Sequence, residues 1–120
     1  MPRMTGLPLA QALHALRPGL PVILYTGYAQ GLARSELEAA GIRHLFGYPG
    51  DPSVEFLEAA RRRGMQFVLG SREGTAGLMA EAYGFLTGRP GVCMSTLGPG
   101  SSNLVNAVAS AWLDRVPMIA

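Results

Sequence analysis

The sequence predicts an α/β fold: three layers, α/β/α, around a five-stranded, mostly parallel, doubly wound sheet. Three observations carry that expectation. Short apolar runs alternate with helical patterns along the whole chain. The connections between them are short and punctuated by the 16 glycines and nine prolines, which suits many tight α/β turns. With 48% of the residues apolar, 120 residues can build a core for one domain or a large part of one. Consecutive parallel strands joined through helices imply right-handed crossovers with helices on both faces.

The elements follow in order. Residues 1–8 are broken by Pro and Gly and read as loop. Leu9, Ala12, Leu13 and Leu16 form a short helical stripe that Pro18-Gly19 ends. Residues 21–25, PVILY, are a short strand apolar enough to be buried on both faces. After the turn at Thr26-Gly27-Tyr28, a helix is expected from Gln30 to Ala40, stopped by Gly41. Residues 43–47, RHLFG, are the second strand. Tyr48-Pro49-Gly50 turns the chain into a helix with Asp51 as N-cap and Pro52 in the first turn. That helix should carry Val54, Leu57 and Ala60 inward and stop at Gly64. Residues 65–69 are the third strand, 73–86 a helix stopped near Gly88, and 92–95 the fourth strand. The turn at 96–100 leads to a helix over 101–112, and 116–120 is a fifth strand in which the sequence stops. A native domain of this class would be expected to continue.

Composition narrows the function classes. The net charge is +2, and every cation is Arg. The run Arg61-Arg62-Arg63 closes a helix, where cations complement the helix dipole, so it does not argue for nucleic acid. The single Cys93 lies within a strand; a disulfide framework is excluded and a reducing, cytoplasmic compartment is expected. No run approaches the roughly 20 apolar residues of a membrane span, and the N-terminus lacks a secretory apolar region. His14 and His44 have no second ligand at metal-binding spacing, so no metal site is expected. Cys93 has no nearby His to activate it as a nucleophile.

Chemistry concentrates at two strand-to-helix junctions, both at the carboxyl ends of strands, where parallel sheets bind ligands. Glu73 opens a helix that is apolar almost all round, TAGLMAEAYGFL, after an apolar strand. Such a helix is buried or lies at a subunit interface. A carboxyl there is desolvated, which favours its neutral form and suits it to giving and taking a proton. The dipole alone also favours a carboxylate in a first helical turn, and spacing does not separate the two readings. At the second junction, Gly98-Pro99-Gly100 precedes Ser101, Ser102 and Asn103. Free backbone N–H groups at such a turn can meet an anion or a ring edge, although a capped strand-to-helix turn would look the same. The loop is neither a Walker loop nor a dinucleotide fingerprint.

Taken together, GIRHLFGYPGD, SREGTAGLMAEAYGFLTGRPGV and STLGPGSSNLVNAVASAWLDRVPMIA resemble the N-terminal, pyrimidine-binding domain of thiamine-diphosphate-dependent enzymes of the acetolactate synthase and decarboxylase group. The resemblance covers 41–120 and reaches back toward Gln30. It implies thiamine diphosphate as cofactor. The family's glutamate at the position of Glu73 bonds N1′ of the aminopyrimidine and drives it toward the imino tautomer, which takes the thiazolium C2 proton. It also implies that Tyr48, Pro49 and Gly50 form one loop near the pyrimidine, and that Thr96, Pro99 and Asn103 line the same pocket. Subunit contacts through the helix at 73–86 are implied too, giving a homodimer or a partner chain. Two positions depart from synthase-type sequences: Arg72 stands where they carry His, and Asp51 where they often carry Gly. The family holds the diphosphate and Mg2+ in a second domain through a Gly-Asp-Gly motif, and none occurs here. The chain alone is therefore expected to be inactive.

Residues 1–40 resemble something else. MPRMTGLPLAQALHALRPGLPVILYTGY is similar to the middle of a response-regulator receiver domain, with Thr26 at the receiver's strand-ending Thr or Ser. Receiver chemistry cannot run, because the only aspartates are Asp51 and Asp114 and there is no Lys. A chimera follows as an expectation: a receiver-like β/α segment, 1–40, joined to a partial thiamine-diphosphate-binding domain, 41–120, and packed with it as one domain. An α/β chimera without activity and a degenerate signalling module are the alternative functions. If the family topology holds, strand 43–47 lies between 66–69 and 92–95, with 116–120 beyond 92–95 and 21–25 at an edge.

Overall fold

A computed structural model describes residues 42–120, the strand Ile23–Leu24 and helical positions 12, 15 and 16. The helix expected at 30–40 and the turn at Thr26 lie outside the described residues. The elements are β1 (Ile23–Leu24), β2 (His44–Gly47), α1 (Val54–Arg62), β3 (Gln66–Leu69), α2 (Glu73–Thr87), β4 (Gly91–Met94), α3 (Pro99–Leu113) and β5 (Met118–Ile119).

The five strands form one sheet in the order β1-β5-β4-β2-β3, and every pair is parallel. β2 lies between β3 and β4, with β5 beyond β4, as the resemblance implied. The edge left open for the first strand is the β5 side: Ile23 pairs with Met118 and Leu24 with Ile119. β3 is the opposite edge, which explains why Phe67 and Leu69 stay exposed despite an apolar sequence.

Alternation along the strands sorts the core into two layers. Phe46, Cys93 and Met118 point to one face, where they pack with Ala76 and Ala80 of α2 and Leu104, Ala107 and Ala111 of α3. Leu45 and Val92 point to the other, where they meet Ile42, Ala60 and the partly buried Phe56 and Leu57 of α1. The three-layer arrangement is thus present among the described residues.

Two local expectations are corrected. Asp51 does not cap α1. A 3-10 turn, Asp51–Ser53, comes first, and Ser53 supplies the polar closure: its Oγ accepts from the Gly50 N–H at 2.9 Å and donates to the Gly50 carbonyl at 2.6 Å. The added turn rotates the start of the helix, so Val54 faces solvent and Phe56 takes an inward place beside Leu57 and Ala60. At its other end, α2 stops where expected, on Gly88 in the left-handed conformation (φ 66°).

The seam between α2 and α3 depends on small residues. A Cβ on Gly77 would sit 2.5 Å from Ala107 Cβ and 2.7 Å from Leu104 Cδ1. Only glycine allows the two helices to approach this closely. The outer sides of the same helices are uncovered among the described residues: Leu78, Phe85 and Leu86 of α2 and Trp112 and Leu113 of α3 are all more than half exposed.

Candidate functional site

β3 delivers the chain through Gly70-Ser71-Arg72 into α2, and Glu73 is the first helical residue. Arg72 stands at the N-cap in an extended conformation and makes no side-chain cap. Glu73 is only 7% exposed, so the sequence expectation of a poorly solvated carboxyl is met in the fold. In the first turn its charge also complements the helix dipole, by about 0.3–1 kcal/mol.

The carboxyl has two different sides. Asn103 Nδ2 donates a hydrogen bond to Glu73 Oε2 at 3.2 Å. Oε1 looks toward Gly100, where an added Cβ would lie 3.0 Å from Oε1 and 2.7 Å from Thr96 Cγ2. A bare backbone at position 100 is therefore what lets the loop after β4 close over Glu73. No cation is paired with Glu73 among the described residues; its hydrogen-bonding partner is a neutral amide.

The loop after β4 is held in place by a hydroxyl and a backbone N–H of its own. Ser101 Oγ donates to the Thr96 carbonyl at 3.1 Å, and the Ser102 N–H donates to the Gly98 carbonyl at 3.1 Å. Gly98 takes a positive φ, and Pro99 begins α3, exposed to solvent. The loop after β2 reaches the same place through Gly50, whose Cα is packed against Thr96 so tightly that any side chain would collide with the Thr96 hydroxyl. The structure therefore brings Gly50, Thr96, Glu73 and Asn103 into one contiguous group. Tyr48 and Pro49 precede Gly50 in the same loop and are exposed; among the described residues no hydrogen bond joins them to Glu73.

Gly100 is the residue that sequence reasoning used only as part of a turn. Its signal was the second glycine of Gly-Pro-Gly, but the need for it lies across the seam, in a carboxyl 27 positions earlier. A shallow groove of about 550 Å3 lined by Val54, Glu55, Glu58, Ala59, Arg62 and Arg63 runs along α1. It lies on the opposite face of the sheet from α2 and holds none of the chemistry-bearing residues named above.

The other titratable groups support this contrast. Burial pushes the Cys93 thiol up to about 12, so it is not a nucleophile at neutral pH. Hydrogen bonds from Arg61 and then Arg62 hold the partly exposed Glu58 carboxyl down to about 2. Among the described residues no three His, Cys, Asp or Glu side chains gather as a metal site, and no helix is long and apolar enough to cross a membrane.

Comparison with known proteins points the same way. The family described as thiamine pyrophosphate enzyme, N-terminal TPP binding domain, matches residues 28–120. The chain is 44% identical over 86 residues to acetolactate synthase 2, chloroplastic, of Zea mays, covering 70% of this chain and 13% of that protein. It is 38% identical over 84 residues to the acetolactate synthase isozyme 2 large subunit of Escherichia coli, covering 70% of this chain and 15% of that protein. Among solved structures it is similar to the thiamine diphosphate-dependent 4-hydroxybenzoylformate decarboxylase of Rhodococcus jostii, with a TM-score of 0.64 and 28% identity over 69% of this chain and 16% of that one. The chain spans only 13–15% of the length of its curated relatives.

Proposed function

The chain belongs to the family of thiamine pyrophosphate enzyme N-terminal TPP-binding domains, and from that premise we propose that it supplies the pyrimidine side of a thiamine diphosphate site. The single observation that carries this is Glu73: buried in the first turn of α2, with Oε2 on Asn103 and Oε1 facing the bare backbone of Gly100. The donor set fits the group. A flat heteroaromatic ring with one basic nitrogen needs a carboxyl that can share a proton and a backbone wall without side chains beside it. When bound, thiamine diphosphate supplies the carbanion-stabilising chemistry that no protein side chain offers.

Glu73 would hold a proton between its carboxyl and N1′ of the ring. Asn103 would fix the carboxyl's orientation through Oε2 without adding charge. Gly50 and Thr96 would bring the loops after β2 and β4 together, and Tyr48, Pro49 and Pro99 would form the exposed lip of the pocket. The diphosphate and Mg2+ would be held by a further domain carrying a Gly-Asp-Gly motif, so this chain alone would not be catalytic. Arg72 and Asp51, both exposed, leave the parent reaction at the level of an acetolactate synthase or a related decarboxylase.

The uncovered apolar side of α2 and α3, with Leu78, Phe85, Trp112 and Leu113 exposed, favours association with a second copy of the chain. Sedimentation velocity at tens of micromolar protein should show a dimer; a strict monomer would count against it. The parallel pairing of β1 with β5 supports a reading in which Ile23–Leu24, outside the family match, extend the same sheet.

Isothermal titration with thiamine diphosphate tests the cofactor reading. A weak signal in the wild type that Glu73→Gln abolishes is the expected result. Silence in both proteins would favour an α/β chimera without biochemical activity. Tight, Mg2+-dependent binding would overturn the half-site reading, in which no group among the described residues grips a diphosphate.

A further inference from the structure

α2 and α3 meet along a seam whose register hardly changes. Glu73 bonds Asn103, 30 positions later, and Glu81 bonds Ser110, 29 positions later. Between them, Gly77 faces Ala107. The helices are therefore parallel and in step, with one polar tie at the loop end of the seam and another about 12 Å further along, at 1.5 Å per residue. One tie on this seam, packed at Gly77 and Ala107, would still leave α3 a small range of roll about its axis. Two ties on a close-packed seam fix its phase.

The second tie is unusual in its composition. Glu81 is 9% exposed, and Ser110 Oγ donates to its Oε1 at 2.7 Å. Ser110 is the only side chain among the described residues that bonds Glu81. Burying a carboxylate against one hydroxyl is a poor way to gain stability, since its desolvation opposes the bond. It is an effective way to specify one register over another, because any roll of α3 strands the carboxylate.

We propose that Glu81 and Ser110 are positioning residues of the site. Their bond sets the phase of α3, so that Asn103 Nδ2 meets Glu73 Oε2 and Gly100 closes on Oε1. The functional meaning rests on reading Glu73 as the cofactor's carboxyl partner; the mechanical link does not. Any reaction that uses Glu73 then depends on a serine 37 positions later that touches nothing in the pocket.

The test reads Asn103 directly, in the 120-residue chain and without cofactor. The Asn103 side-chain amide resonances are recorded by two-dimensional nuclear magnetic resonance, with Glu73→Ala marking their position when the bond is lost. Ser110→Ala should move them toward that mark, and Ser110→Thr, which restores a hydroxyl, should return them. Ser110→Cys, nearly isosteric but a weak donor, should displace them as well and serves if the alanine variant does not fold. Asn103 resonances that stay at the wild-type position in Ser110→Ala or Ser110→Cys, even with a lowered melting temperature, would reduce the pair to a structural tie and overturn the proposal. The same variants are titrated with thiamine diphosphate. If the wild type gives no signal there, the cofactor reading fails while the resonance shifts still decide the positioning role.

Discussion

The two helical layers treat their carboxylates in opposite ways. On α1, Glu58 is partly exposed and takes hydrogen bonds from two exposed guanidinium groups, Arg61 Nε at 2.7 Å and Arg62 Nε at 2.8 Å. On α2, Glu73 and Glu81 are buried and take one hydrogen bond each from neutral groups. The α1 arrangement is what water and a helix surface permit at (i, i+3) and (i, i+4) spacing, and exposed pairs of this kind contribute little. The α2 arrangement exists only because small residues let α3 come close enough to cover it. Short, strong-looking ion pairs thus mark the less consequential face, and the single, longer amide contact marks the candidate site.

The largest effect should come from forcing the seam apart. Gly77→Leu places a side chain where a Cβ alone meets Ala107 at 2.5 Å, and should cost about 3 kcal/mol in urea unfolding. A much smaller loss would mean that α2 and α3 are not held as tightly as their glycines suggest. Ser110→Ala comes next: Glu81 loses its donor while staying buried, which should cost about 2 kcal/mol.

A pH effect follows from Cys93. Burial raises its thiol from 9.0 to about 12, so the unfolded chain ionises first. The stability tied to the neutral thiol is complete below pH 9 and lost as pH rises toward 12, by about 1 kcal/mol at pH 10. Cys93→Ala should flatten that alkaline slope in urea titrations at pH 8 and 10, whatever it does to the starting stability.

The smallest effect belongs to α1. Glu58 is lowered from 4.5 to about 2, so its pairing is present above pH 4.5 and fades as pH falls toward 2. Because the pair lies on the solvent-facing surface, where ion pairs contribute little, Arg61→Ala should leave the thermal midpoint at pH 7 within experimental scatter. A clear drop would break the contrast between the faces.

Much of this was legible in the chain, for identifiable reasons. Short apolar runs between helical patterns, with Gly and Pro at the joints, are local signals, and they predicted the parallel α/β sheet. Glu73 stood out because a carboxylate between an apolar strand and an apolar helix conflicts with its neighbours. Val54 was misjudged because the 3-10 turn at Asp51–Ser53 shifts the helical phase by an amount that periodicity alone does not reveal. Gly100 and the Glu81–Ser110 tie were missed because each has its reason on another element.

The order of the elements, most of their ends and the choice of Glu73 as the candidate carboxyl come from the sequence by itself, since backbone propensity, caps and burial patterns act over a few residues. Which oxygen of Glu73 is held and which is left open was decided only in three dimensions. That outcome needs Asn103, Gly100 and Thr96 to arrive together, and they do so only when α3 packs on α2 in one phase. Close packing of small side chains is the physical reason: it has no period in the sequence and appears only when both surfaces are present.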